Sequence, residues 1–338
     1  MRYTTLGKTG LNVSRTSFGA LPIQRCSFEE SKAILRKAYD AGINFFDTAR
    51  NYTDSEEKIG YALSDVRKDI IIATKTHEHT PDSIRASIDT SLKNLKTDYI
   101  DLFQFHNNFP NPECIEAVNG EVTKGKILHV GITLHAQETA FEAVRSGLFE
   151  TLQFPFSSLS DATDEFLVDE CAQENVGFIA MKALSGGLMR NIEANFAYIN
   201  TFETVVPIYG IQRMEELEEF IDLEERSPEM TEEFRKAIAK EKEELKGKFC
   251  RGCGYCKPCP VEIPLELACR MDLFLTRNAY QSMITPEMQE KMERIADCTD
   301  CKACASRCPY GLKPYELIRD QIEFYRNFVK EHADEILS

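Results

Sequence analysis

Short apolar runs alternate with amphipathic segments through the first two-thirds of the chain. Runs such as residues 70–75 and 100–106 are rich in aliphatic and aromatic residues, which is typical of buried strands. Between them, segments such as 27–42 and 80–95 carry apolar residues at helical spacing. Eight strand-like runs, each followed by a helical segment, occur up to about residue 223. This alternation predicts an α/β protein whose residues 1–223 form a (β/α)8 TIM barrel.

Local signals in the first forty residues support this interpretation. Residues 1–15 alternate in polarity around a turn at Lys8–Gly10, which predicts a β-hairpin ahead of the first barrel strand. Ser27 is followed three residues later by Glu30, the spacing of a capping box, and this predicts the start of the first helix.

The composition changes after the predicted barrel. Residues 224–248 are dense in charge and poor in apolar positions, so we expect a charged helical linker. Residues 249–338 contain two cysteine runs, a helical stretch between them and a final amphipathic segment. The sequence therefore predicts a separate, mainly α-helical domain at the C-terminus.

The two cysteine runs have the spacing of iron–sulfur ligands. In two-cluster bacterial ferredoxins the last cysteine of a run, which precedes a proline, binds the other cluster. Each run here holds four cysteines and ends in Cys-Pro, so we predict two 4Fe–4S clusters with crossed ligation in a ferredoxin-like domain. The predicted ligands are Cys250, Cys253, Cys256, Cys259, Cys298, Cys301, Cys304 and Cys308.

Zinc is the alternative occupant, because paired C-x2-C motifs also form tetrahedral zinc sites. The cluster spacing favours iron–sulfur, since each run alone already supplies four thiols. The first run has two residues rather than three before its last cysteine, a departure from the usual pattern at Cys259. The other cysteines, which are Cys26, Cys114, Cys171 and Cys269, are interpreted as small buried apolar residues.

Charge and hydropathy narrow the classes of partner. The chain has 338 residues and a formal net charge of −15, which argues against nucleic acid because phosphate binding needs basic surfaces. No apolar run approaches the roughly 20 residues of a membrane span, so we expect no membrane partner. The N-terminal residues lack the pattern of a secretory signal, and we expect a cytoplasmic protein.

Four polar residues follow three successive predicted strands. Asp47 and Tyr52 come after the apolar run 43–46, Lys75 ends the next strand, and His106 ends the third. In a parallel barrel the C-terminal ends of the strands share the face that carries the chemistry. The pattern resembles the catalytic tetrad of the aldo-keto reductases. The cysteine module is similar to that of the subgroup with a C-terminal ferredoxin-like 4Fe–4S domain.

The resemblance implies a carbonyl or alcohol substrate and a reaction that uses NADH or NADPH. Tyr52 would protonate the carbonyl oxygen, Lys75 would lower the pKa of Tyr52, Asp47 would balance Lys75, and His106 would orient the carbonyl. Taken singly, each of these residues also has a structural explanation. The resemblance further places cofactor contacts at Thr133, Gln153, Met181, Ser185, Gly186, Gly210 and Arg213.

The charge near the end of the predicted eighth strand bears on the choice of nicotinamide. Glu216 stands where relatives often carry a cation for the adenosine 2′-phosphate, and it would repel that phosphate, although Arg213 could replace the cation. The sequence thus favours NADH over NADPH.

A second hypothesis assigns electron transfer or redox sensing to the chain. A carbonyl reductase does not need eight cysteine ligands, and each cluster accepts one electron whereas hydride carries two. In this alternative the barrel binds nicotinamide, and the clusters exchange electrons with a flavoprotein or a ferredoxin.

Overall fold

The computed structural model describes residues 1–107, 109–184, 191–245, 250–252, 254–277, 280–308 and 310–336. The chain divides into two compact units, Met1–Ala239 and Lys240–Ser338. Each unit has its own apolar core.

The first unit is built on a closed barrel of eight parallel strands, as the sequence predicted. A hairpin of β1 (Tyr3–Thr5) and β2 (Asn12–Ser14) precedes it. The barrel strands are β3 (Ser17–Gly19), β4 (Phe45–Asp47), β5 (Ile71–Thr76), β6 (Ile100–His106), β7 (Ile127–Thr133), β8 (Thr151–Pro155), β9 (Gly177–Met181) and β10 (Val205–Gly210). Neighbours in sequence are neighbours in the barrel, and β10 pairs with β3 to close it.

A helix on the outside of the barrel follows each barrel strand. These helices are α1 (Phe28–Asp40), α2 (Ser55–Leu63), α3 (Pro81–Leu95), α4 (Pro112–Thr123), α5 (Gln137–Arg145), α6 (Ala162–Gln173), α7 (Ile192–Asn200) and α8 (Met214–Arg226). The predicted capping box is confirmed at α1, where the Ser27 side chain accepts from the Glu30 backbone N–H and the Glu30 carboxylate accepts from the Ser27 N–H.

Alternate residues along the strands face two different cores. Phe45, Ala73 and Leu102 point into the barrel, where they pack with side chains of β9 and β10. Phe46 and Phe103, each adjacent to one of these, point outward and pack in the core that the helices cover. This alternation puts Asp47 and Lys75 on the inner face, because they follow Phe45 and Ala73 by two residues.

The hairpin lies at the N-terminal end of the barrel strands. Leu6 packs against Gly177, the first residue of β9, where an added Cβ would lie 2.7 Å from Leu6 Cγ. The Lys8 backbone N–H donates to the Asn175 carbonyl oxygen at 2.7 Å. Chemistry is therefore left to the opposite end of the barrel, where the strands finish.

The last barrel helix is tied to the start of the chain. Glu224, which is buried, accepts the Arg2 backbone N–H at 2.7 Å and the Thr16 hydroxyl at 2.8 Å. The proposed boundary after residue 223 thus falls inside α8, three residues before its end at Arg226. A further helix, α9 (Glu232–Leu245), covers most of the charged segment.

The second unit is mainly helical, and no strand is assigned in the portion of it that the structure describes. Its helices are α10 (Leu265–Ala268), α11 (Met271–Arg277), α12 (Pro286–Glu293), α13 (Ala303–Ser306), α14 (Pro314–Glu331) and α15 (Ala333–Ile336). Its core packs apolar side chains such as Met271, Met292 and Ile318 around Cys256 and Cys304. Across the described ranges, no helix combines the length and apolar character needed to cross a membrane.

Candidate functional site

Lys75 and Asp47 form a buried ion pair at the C-terminal end of the barrel. Lys75 lies two residues beyond Ala73, which pairs with Asp47 across β4 and β5, so both side chains share the inner face. Lys75 Nζ lies 2.6 Å from Asp47 Oδ2 and 2.8 Å from Oδ1, and it also donates to the Thr48 carbonyl oxygen at 2.8 Å. Burial lowers the pKa of Lys75, and the Asp47 carboxylate opposes that shift.

Tyr52 stands beside this pair. It follows β4 by five residues and is half-buried, and its ring centroid lies 5.5 Å from Lys75 Nζ. Burial, and next to it the Asp47 carboxylate, raise the pKa of Tyr52. Asp47 offsets the ammonium charge of Lys75 and burial disfavours the phenolate, so the net shift of the Tyr52 pKa is upward, whereas Lys75 was expected to lower this pKa. Tyr52 therefore keeps its proton at neutral pH.

His106 ends β6 as a neutral imidazole. Burial, followed by the charges of Lys75 and His77, lowers the pKa of His106 to about 2. The His77 ring stacks on it with centroids 3.8 Å apart and an angle of 17°. Within the described part of the chain, His106 Nδ1 is buried and has no hydrogen-bond partner. The ring is thus stacked and uncharged, a state in which it can donate one N–H to a ligand.

Gln104 connects the tetrad to two predicted cofactor residues, and the sequence analysis missed it. Gln104 Nε2 lies 3.3 Å from Asp47 Oδ1, and its Oε1 accepts from the Thr133 hydroxyl at 3.3 Å. Thr133 also lies 2.8 Å from Gln153 Oε1. The spacing in the sequence could have identified Gln104, since it precedes His106 by two residues and therefore faces the same side of β6.

The other predicted cofactor residues are at or beyond later strand ends. Met181 ends β9 and is 8% exposed, and Gly210 ends β10 at the surface. Arg213 is exposed, and Glu216 Oε1 lies 2.9 Å from both its Nε and its Nη2. The positive charge of Arg213 is therefore already balanced. Ser185 and Gly186 lie outside the described residues.

Four predicted ligand cysteines line one cavity in the second unit. They are Cys259 from the first run and Cys298, Cys301 and Cys304 from the second. We call this space the four-cysteine cavity. Its composition agrees with crossed ligation, in which the last cysteine of one run joins the first three of the other. The shorter spacing before Cys259 does not keep that residue away from the second run.

A second group of cysteines includes one that the sequence analysis set aside. Cys269 is 5% exposed and forms a hydrogen bond with Cys250. This hydrogen bond, together with burial, raises the pKa of the Cys269 thiol. Cys256 belongs to the same core, whereas Cys253 lies outside the described residues. Cys269 is therefore buried as predicted, but it contacts a predicted ligand.

A comparison with protein families decides the classification. The model of the aldo/keto reductase family matches residues 15–240. The chain belongs to the aldo/keto reductase family. A model of the 4Fe–4S dicluster domain matches residues 249–313, and this favours iron–sulfur over zinc for the cysteine module.

Curated relatives of this aldo/keto reductase share the barrel. An uncharacterized oxidoreductase of Bacillus subtilis, YrpG, is 31% identical over 223 residues, which are 56% of this chain and 68% of the relative. The L-glyceraldehyde 3-phosphate reductase of Escherichia coli K12 is 32% identical over 218 residues, 56% of this chain and 63% of that enzyme. The chain thus spans less than two thirds of the E. coli enzyme.

Solved structures agree on the barrel fold. An aldo-keto reductase from Bacillus halodurans in its holo form matches with a TM-score of 0.64 at 22% identity, covering 71% of this chain and 96% of the other. One from Klebsiella pneumoniae in complex with NADPH matches with a TM-score of 0.62 at 19% identity, covering 71% and 95%. At these identities the likeness concerns the fold alone.

Proposed function

We propose that this aldo/keto reductase uses NAD(P)H to interconvert a carbonyl and an alcohol, with Asp47, Tyr52, Lys75 and His106 as its catalytic residues. The observation that carries the proposal is the buried Lys75–Asp47 pair beside a protonated Tyr52 at the C-terminal end of the barrel. Carbonyl reduction develops negative charge on oxygen, and a fixed cation next to a proton donor stabilises that charge.

Each side chain has a defined part in the proposed reduction. A carbonyl gains hydride at carbon and a proton at oxygen, and Tyr52 Oη supplies the proton. The tyrosinate that remains is stabilised by Lys75 and regains a proton from water. Asp47 keeps Lys75 charged despite its burial. The neutral His106 donates a hydrogen bond to the carbonyl oxygen and thereby orients it.

The residues at the strand ends fit a nicotinamide. When bound, a reduced nicotinamide supplies the hydride. The Thr133 hydroxyl and the Gln153 carboxamide form a connected polar pair of the kind that pairs with a ring carboxamide. Met181 offers an apolar surface nearby on β9. Because Glu216 balances Arg213, we propose NADH rather than NADPH as the preferred reductant.

Steady-state kinetics on anaerobically purified protein test this function. We expect NADH oxidation with members of a panel of aldehydes and ketones, and a loss of about 10²–10⁴-fold in turnover for Tyr52→Phe. The matched control is Tyr61→Phe, which alters a surface tyrosine that is 36% exposed. Full activity of the Tyr52→Phe variant would show that the assignment of the four catalytic residues is wrong.

A second candidate function rests on the four-cysteine cavity. Four thiols around one space, drawn from two separate runs, fit a 4Fe–4S cluster, and the two runs together suit two such clusters. A ferredoxin or a flavoprotein would exchange single electrons with them, since nicotinamide delivers electrons in pairs. Rapid cluster reduction by a reduced ferredoxin, with negligible turnover of any carbonyl, would favour this function over the first.

We also propose the cytoplasm as the site of action. Cluster ligands must not be oxidised to disulfides, and the cytoplasm keeps cysteines reduced. The formal charge of −15 agrees with a small-molecule substrate rather than nucleic acid. Fractionation of the source cells followed by immunodetection tests the location.

A further inference from the structure

The four-cysteine cavity is lined by two cations. Lys302 and Arg307 both line it, and among its described lining residues there is no carboxylate. Lys302 is exposed, and its Nζ lies 6.0 Å from the ring centroid of Tyr315. Arg307 is only partly exposed. In a chain of net charge −15, this cavity is locally positive.

Backbone oxygens of the opposite cysteine run hold Arg307 in place. Its Nη2 donates to the Cys256 carbonyl oxygen at 2.8 Å and to the Pro258 carbonyl oxygen at 2.6 Å. Arg307 itself belongs to the second run, directly before Cys308. These bonds fix one end of the guanidinium on the segment that leads into Cys259.

The other end of the guanidinium is left without a partner. Arg307 Nε is buried, and no described residue accepts its hydrogen. No described carboxylate forms an ion pair with Arg307 either, whereas other cations of this unit, such as Arg326, are paired. Burying an N–H without an acceptor is energetically unfavourable, so an acceptor that fills the cavity would relieve it.

We propose that Arg307 is a positioning residue that raises the reduction potential of the 4Fe–4S cluster held in the four-cysteine cavity. The proposal rests on the proposed cluster sites. Reduction by one electron takes the cluster with its four thiolates from a charge of about −2 to about −3, and cluster potentials respond to nearby charge and to hydrogen bonds on sulfur. A fixed guanidinium stabilises the more negative state. Its Nε–H adds a donor for a cluster or cysteine sulfur.

Replacing Arg307 by Gln in the full-length, anaerobically reconstituted protein tests this assignment. Iron and sulfide counts first establish cluster loading, and absence of clusters in the unaltered protein would refute the cluster sites themselves. EPR-monitored titration with dithionite then gives the potential of each cluster. Cys301→Ser, which alters a cavity ligand, identifies the signal that belongs to the cavity.

In Arg307→Gln we expect the reduced-to-oxidised ratio of the cavity cluster to fall about tenfold or more at a fixed potential. Tenfold corresponds to about 59 mV for one electron. The other cluster serves as an internal reference and should shift far less. Arg326→Gln is the matched control, because it removes an exposed cation of the same unit without touching the cavity, and it should leave both potentials unchanged.

Unchanged potentials in Arg307→Gln, or the same shift in Arg326→Gln, would overturn the proposal. If Arg307→Gln does not load iron, Arg307→Met decides, since it removes both the charge and the N–H donors. A loaded Met variant with a lowered cavity potential supports the proposal, and one with an unaltered potential contradicts it. Loss of the cavity cluster in both variants would assign Arg307 to holding the Cys256–Pro258 segment instead, and would also overturn it.

Discussion

Lys75 and Asp47 bind each other from neighbouring strands with only 2% and 4% of their side chains exposed. Water solvates neither charged group to any extent, so each charge is stabilised mainly by the opposite charge of its partner. Removing one partner of a buried pair leaves an uncompensated charge, whereas removing both leaves a neutral site.

We therefore expect Lys75→Met to lower the free energy of unfolding of the barrel by about 3–5 kcal/mol. The double variant Asp47→Asn/Lys75→Met should recover most of that loss while remaining inactive. Urea unfolding followed by circular dichroism measures both. The control is Arg226→Ala, whose partners Asp222 and Glu193 are both surface carboxylates, and it should lower the free energy of unfolding far less. A double variant as unstable as Lys75→Met would show that the two charges do not depend on each other.

The raised pKa of Tyr52 predicts different pH dependences for the two reaction directions. Reduction needs the phenol and should stay flat between about pH 6 and 9. Oxidation of the alcohol needs the phenolate, so its rate should climb about tenfold per pH unit below the pKa. Tyr52→Phe should abolish this rise, and Tyr61→Phe should preserve it. An oxidation rate that levels off near pH 7 would mean that Lys75 lowers the pKa after all.

Because the pKa of His106 is low, about 2, the free energy of unfolding of the barrel should depend on pH in the acidic range. In the unfolded chain histidine has a pKa of ~6.5, so below that pH the imidazole binds a proton in the unfolded state but not in the folded state. The free energy of unfolding should thus fall as the pH drops from about 6.5 toward 2. In His106→Gln this part of the slope should vanish, and in His79→Gln, at an exposed position, it should persist. Equal slopes in the unaltered protein and His106→Gln would contradict the low pKa.

The pairing of Arg213 with Glu216 makes cofactor preference adjustable. Glu216→Gln frees the guanidinium and removes a repulsive charge, so we expect kcat/KM for NADPH to rise about fivefold, the equivalent of ~1 kcal/mol. The value for NADH should change little. Glu215→Gln, at an exposed neighbouring position, is the charge-matched control. An equal gain for both cofactors would argue against a 2′-phosphate contact here.

Iron removal should unfold the second unit selectively. Its core includes Cys256 and Cys304, so the predicted ligands are themselves part of the packing. Metal–thiolate bonds form only in the folded state and add to its stability. Hydrogen exchange after chelation should show lost protection from about residue 249 onward, while the barrel strands stay protected and still bind nicotinamide. Loss of protection in β3–β10 would show that the fold of the barrel also depends on the clusters.

Strands, strand ends and the site residues next to them depend on the local sequence pattern and could be predicted from it. The apolar run 43–46 predicted the strand, its end and hence the position of Asp47. The pKa of Tyr52 could not be predicted in this way, because it reflects how deeply the fold buries the phenol and how fully Asp47 balances Lys75. Gln104 was predictable by its spacing from His106. The contacts of Arg307 were not, since its partners Cys256 and Pro258 lie about fifty residues earlier.

The bonds between Arg2 and Glu224, with the pairing of β3 and β10, set an order of events during synthesis. The barrel cannot close until the chain has emerged from the ribosome to about residue 224, because its first strand, β3, pairs with its last strand, β10. The cysteine runs emerge only afterwards, and domains fold largely as units in the order of their synthesis. The barrel can therefore close before the predicted ligand cysteines of the second unit have all emerged.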